Sequence, residues 1–98
     1  MSLPVVLLPE AQVDLDEAVN WYEGQRAGLG TDLLDAVQQV FNRISATLQV
    51  HAVVYQDVRR GVVRRFPYTV YYRVEASRVL VVAVHHSKRD PSVWQARV

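Results

Sequence analysis

The sequence predicts an α+β fold, an antiparallel sheet of about four strands faced by an N-terminal αα-hairpin, in the order β-α-α-β-β-β. Three observations lead there. Across residues 9–48 the apolar side chains recur at helical spacing, whereas across residues 59–86 arginine, aromatic and valine alternate with the period of two that strands impose. Residues 79–84 are continuously apolar, as the sheet's central strand, covered on both faces, must be. Charge divides at the same point: residues 1–58 hold two arginines against eight carboxylates and residues 59–98 nine cations against two, so the net charge of +1 conceals an acidic helical side and a basic sheet side.

The elements follow in chain order. Residues 5–8 form a short apolar strand ended by Pro9, which suits a first helical turn because its missing N–H would be unpaired there anyway. Ala11, Leu15, Ala18, Val19 and Tyr22 make the apolar stripe of the first helix, and Glu10, Asp14, Asp16 and Glu17 sit near its start, where negative charge complements the helix dipole. Trp21 beside the stripe reads as a half-buried packing residue. Gly28 and Gly30 let the chain reverse, with Thr31 or Asp32 as the N-terminal cap of a second helix. That helix runs for about 18 residues, with Leu33, Val37, Val40, Ile44 and Leu48 on one stripe and Leu34 and Phe41 widening it.

Residues 51–57 suit either a loop or a short strand. Gly61 opens a strand over residues 62–66, and Pro67, which cannot donate to a ladder, breaks it before Tyr68. In the next strand Tyr68, Val70, Tyr72 and Val74 share one face, and Thr69, Tyr71, Arg73 and Glu75 the other. Residues 75–78 turn into the apolar strand, and Asp90-Pro91 begins a turn or short helix from which Val93 and Trp94 pack back.

A chain of 98 residues fits one domain over residues 1–98, too small for a large enclosed cleft. It has no cysteine, hence no disulfide or thiolate metal site, and its start resembles neither a secretory signal nor a membrane span, so a cytoplasmic location is expected. No cofactor is implied. His85 and His86 are adjacent in a strand and point to opposite faces, which argues against a shared metal ion. The types of a hydrolase triad in His86, Ser87 and Asp90 lack a nucleophile-elbow motif, and no phosphate-cradling glycine loop is present. One enzymatic reading survives, metal-free cleavage of RNA, which needs a base for the 2′-hydroxyl, cations for the phosphorane and an acid for the leaving oxygen. Arg64, His86 and Arg89 are its catalytic candidates, with Tyr71, Tyr72 or His85 as the second proton-transfer group. The other reading is a binding surface for phosphates or acidic protein segments.

The stretches LDEAVNWYEGQRAGLGTDLLDAV (15–37), RRFPYTVYYRVE (64–75) and VLVVAVHHSKRDPSVW (79–94) resemble the RelE/ParE superfamily of toxins from type II toxin–antitoxin modules. The resemblance implies a compact α+β fold, roles in growth inhibition and plasmid stabilization, and a ParD-like or RelB-like antitoxin encoded beside the toxin. ParE-like members inhibit DNA gyrase, whereas RelE-like members cut messenger RNA on the ribosome. RNA-cleaving relatives usually carry a basic residue after the position of Tyr68 and a tyrosine near that of Trp94. Here Thr69 and an indole stand in those places, and Lys88 is the one lysine, which favours the ParE-like branch. On that reading Arg59, Arg60, Arg64, Arg65, Arg73, Lys88, Arg89 and Trp94 form the target or antitoxin contact surface, with no membrane partner.

Overall fold

The computed structural model describes residues 3–98. Its elements are β1 (Val5–Leu7), α1 (Pro9–Gln25), α2 (Leu29–Ala46), β2 (Val53–Tyr55), β3 (Val58–Val62), β4 (Tyr68–Val74), β5 (Val79–His86) and a four-residue α3 (Ser92–Gln95). The sheet has five strands in the order β1-β5-β4-β3-β2, one more than expected, because the ambiguous segment before β3 pairs as β2. It is also mixed. β1 lies parallel to β5, with Val5 opposite Val79, and the remaining pairs are antiparallel.

Two further expectations shift. The third strand is Val58–Val62 instead of residues 62–66, so Gly61 lies within it, where its missing side chain admits Val40 and His51 from above. The chain leaves the ladder after Val62 because Arg65 adopts a left-handed φ of 71° and Pro67 offers no N–H, while the Val63 amide reaches back to the Tyr68 carbonyl. The cap of α2 comes from another residue than the two expected. The helix starts at Leu29, so Thr31 and Asp32 fall inside its first turn, and the carboxylate of Glu23 at the end of α1 accepts from the Gly28 and Gly30 amides. Gly28 itself turns the chain at φ 89°.

One face of the sheet packs under the helices. Ala11, Leu15 and Ala18 of α1 and Leu33, Val37, Val40 and Ile44 of α2 meet Val70, Tyr72, Val79, Val81 and Val84. Small side chains at residues 11 and 18 let α1 lie close on β5. Leu34 stands outside this core, exposed on the far side of α2. The opposite face is covered where Trp94 stacks on Tyr71, ring centroids 4.2 Å apart, over Val58, Val82 and Ala83. β5 is thus buried on both faces, although β4 is the middle strand. A bulge makes this possible: Tyr71 pairs with Ala83 and Tyr72 with Val81, so Val82 is skipped and joins Ala83 under Trp94.

β1 is too short to cover the whole outer edge of β5. Beyond Val81, whose carbonyl takes the Leu8 amide, the edge is closed by side chains. The Val84 amide donates to Asp14 of α1, and the Val82 carbonyl accepts from Arg97. Unpaired strand groups buried here would cost about 1–3 kcal/mol each, so the Asp14–Arg97 pair does the work of missing backbone.

Candidate functional site

The expected basic surface divides into three parts. At one end of the sheet, Arg73 is bound by two hydrogen bonds to Asp57, whose carboxyl this arginine holds below its ordinary value, and Arg78 pairs with Glu75. At the β2 edge, Arg59 and Arg60 project from opposite faces of β3. Arg59 donates to the His51 carbonyl at 2.7 Å, while Arg60 is exposed. Arg64, Arg65, Lys88 and Arg89 lie at the other end, where the β3–β4 turn and the exit of β5 come together through the Ser87 amide and the Pro67 carbonyl. Trp94 is 2% exposed, so its ring packs the back of the sheet.

The last of these ends has the densest chemistry. Asp14, Glu17, Ala18, Tyr68, Val84, His85, His86 and Arg89 line a cleft of about 150 Å³. β5 supplies the histidines, α1 the two carboxylates, and β4 the phenol. Arg64 lies in a separate cleft of about 350 Å³ with Arg65, Asp32, Asp35 and Gln39. Of the three ribonuclease candidates, His86 and Arg89 therefore share a cleft and Arg64 lines another, with no lining residue in common.

The protonation of the cleft follows from its contacts. The Lys88 amide donates to His86 Nδ1 at 3.1 Å, so the neutral ring carries its hydrogen on Nε2 and offers a donor there. Burial raises the Tyr68 phenol above its ordinary value, helped by the neighbouring Tyr22, and keeps it a donor too. Burial alone would raise the Asp14 carboxyl, but His85, Arg97 and the Val84 amide outweigh it and hold the group well below the carboxylate range. His85 is fully buried with Nε2 3.2 Å from Asp14, off the line of a hydrogen bond. Tyr72 is enclosed with its hydroxyl against His51 Nδ1, and Tyr71 lies beneath Trp94. The cleft therefore sets the donors Tyr68, His86 and Arg89 beside the acceptor carboxylates of Asp14 and Glu17. Among the described residues no group of three or more histidine and carboxylate side chains is arranged to hold a metal ion, and no helix is long and apolar enough to cross a membrane.

Aromatic rings continue from the cleft. His86 meets Tyr68 edge to face, Tyr68 meets Tyr22, and Tyr22 meets both Phe66 and Trp21, with centroids 4.9–6.0 Å apart. Trp21 at the outer end is 59% exposed, not half-buried as its place beside the apolar stripe suggests. The sequence assigned Trp21 to packing and Asp14 and Glu17 to the helix dipole, and it gave Arg97 no role beyond the basic charge of residues 59–98. For Asp14 a signal existed: it stands within the stripe of Ala11, Leu15 and Ala18, where a carboxylate needs a buried partner.

A family model described as the ParE toxin of the type II toxin-antitoxin system, parDE, matches residues 5–91. Among solved structures, a chain of the chromosomal ParDE TA system from P. aeruginosa superposes with a TM-score of 0.64 at 19% sequence identity, over 87% of this chain and 96% of that one. At that identity the likeness establishes the fold. No curated protein matches the chain.

Proposed function

Because the chain belongs to the ParE toxin family of type II toxin–antitoxin systems, we propose that residues 1–98 act as a single toxin domain that arrests growth in the cytoplasm by binding DNA gyrase and is neutralised by a ParD-like antitoxin. The observation that carries the binding reading is the tie between the Lys88 amide and His86 Nδ1. It leaves His86 Nε2 a donor, and the half-buried Tyr68 phenol is a second, so hydrogen bonds to an acceptor on a partner are what this pair offers. The departures at Thr69 and Trp94 point the same way.

The antitoxin contact lies along β2. This strand leaves its outer edge unpaired, exposes Val53 and Val54, and is flanked by Arg59 and Arg60 on the two faces of β3. An extended antitoxin segment adds a strand there, with acidic side chains meeting the arginines. Its affinity falls with salt and with Arg59→Ala or Arg60→Ala. An affinity indifferent to both substitutions argues against this contact.

The deciding experiment is a supercoiling assay with purified gyrase and the purified chain. Loss of supercoiling, with translation intact in cells that express the chain alone, is the expected result. Normal supercoiling at saturating toxin, with new messenger RNA ends in the cell, overturns it and turns Arg64, His86 and Arg89 into catalytic candidates.

A further inference from the structure

We infer that the end of the sheet formed by the β3–β4 turn, the exit of β5 and the α1–α2 turn is the surface that grips the toxin's target, and that its ligand is a protein segment presenting an apolar side chain beside a carboxylate. The inference rests on the toxin reading above but not on gyrase being the target.

Trp21 carries the apolar half. A tryptophan 59% exposed on a helix leaves most of its ring in water, yet the edge-to-face contact with Tyr22, 4.9 Å between centroids, fixes its orientation. Ordered tryptophans of this kind, backed by further aromatic rings, are the anchors on which protein interfaces concentrate their binding energy. Arg89 and His86 carry the polar half. The Arg89 guanidinium lies 3.9 Å from Asp14 yet is 46% exposed, and it shares a cleft with Tyr68 and His86, whose Nε2–H is free, so three donors stand beside the Asp14 and Glu17 carboxylates on one small opening. The exposed donors of Arg89 leave room for a single carboxylate of a partner at the rim. Arg65 adds a strained backbone position to this surface. It holds a left-handed φ of 71°, costly for a side chain with a Cβ, with its guanidinium 5.6 Å above the Phe66 ring.

The carboxylates at this end choose between macromolecules. Glu17 lines the cleft, and Asp32 and Asp35 line the separate one. Interspersed negative charge repels a polyphosphate backbone, whereas a protein surface of mixed charge accommodates it.

The test titrates growth arrest by the full chain expressed without antitoxin. Trp21→Ala and Arg89→Ala each raise the inducer concentration needed for arrest by about tenfold or more, while Arg78→Ala at the opposite end of the sheet leaves it unchanged. Co-purification with the antitoxin and the melting temperature stay as in the parent chain, which separates the effect from misfolding. Full arrest by both alanine variants overturns the inference, as does an equal loss of antitoxin binding, which would make the antitoxin the occupant. Tight binding of a short oligothymidine that is lost in Trp21→Ala assigns the surface to nucleic acid and overturns it too. Because arrest is scored whatever the target, a failed gyrase assay removes the gyrase reading and leaves this one standing or falling on its own variants.

Discussion

Asp14 and Arg97, 83 positions apart, are joined by two hydrogen bonds of 2.7 and 3.2 Å across the edge of β5. Arg97 also holds the Val82 carbonyl, and Asp14 the Val84 amide. Arg97→Ala takes from a buried carboxylate its hydrogen-bonded cation, leaving Arg89 at 3.9 Å as the remaining one, and leaves a strand carbonyl unpaired, a cost of about 2–4 kcal/mol. For a chain of this size each kcal/mol lowers the melting temperature by about 4–8 °C, so a thermal scan reads the loss directly. The pH dependence has a definite sign. Because folding lowers the Asp14 pKa below its unfolded value of 3.8, the stability it contributes is present above that value and is lost as pH falls. Asp14→Asn therefore flattens the acid limb of an unfolding curve.

His51 predicts a second pH effect in a higher window. Burial lowers its pKa below the unfolded value of 6.5, with Arg43 adding to the shift, and Nδ1 lies 3.0 Å from the Tyr72 hydroxyl. A depressed value means that the contribution is present above about 6.5 and declines as pH falls through the folded value. Urea midpoints measured between pH 5 and 8 rise with pH in the parent chain. The rise is smaller in His51→Gln and intermediate in Arg43→Gln.

Two glycines make a paired prediction about helix packing. A Cβ on Gly30 would lie 2.6 Å from the Val19 carbonyl oxygen, so Gly30→Ala forces α1 and α2 apart at a cost of about 1–3 kcal/mol. Gly24, in the last turn of α1, has nothing within 4 Å of the same atom, and Gly24→Ala gains up to about 1 kcal/mol from helix propensity. Chemical denaturation of the two variants distinguishes opposite signs.

Trp94→Ala removes the stacked partner of Tyr71 and the edge contact to Tyr55. An indole buried to this degree is worth about 3–5 kcal/mol when truncated, enough to threaten the fold at growth temperature. The variant is expected to lose antitoxin binding and growth arrest together with its cooperative melt, the pattern of a structural residue. A folded Trp94→Ala chain that lost arrest alone would instead return the ring to the contact surface.

The helices and the two long strands were legible in the sequence because each has a period of its own. The stripe from Leu33 through Ile44 is buried as expected, and Tyr72 faces the helices while Tyr71 faces away. Short pieces without periodicity were not legible. β2 has three residues and owes its pairing to β3, and residues 62–66 look like a strand until Arg65 takes its left-handed turn. The site was legible as residue types but not as a grouping. Nothing local in the sequence joins Asp14 to Arg97, or separates the Arg73 end from the Arg89 end. Trp21 borders an apolar stripe, a place from which a side chain can turn either way, and the packing of Tyr22 against Phe66 turns it outward.

The parallel pairing of β1 with β5 also orders events during synthesis. Val5 leaves the ribosome early and waits for Val79, and the edge seal waits longer still, for Arg97. Until Val79 is made the α-hairpin has only part of its sheet to rest on, and the cleft lined by His86 and Arg89 waits for those residues. Long-range closure of this kind is slow compared with helix formation. The contacts that fix β5 thus bridge nearly the whole chain, from Val5 to Val79 and from Asp14 to Arg97, and none of them forms until both partners have been made.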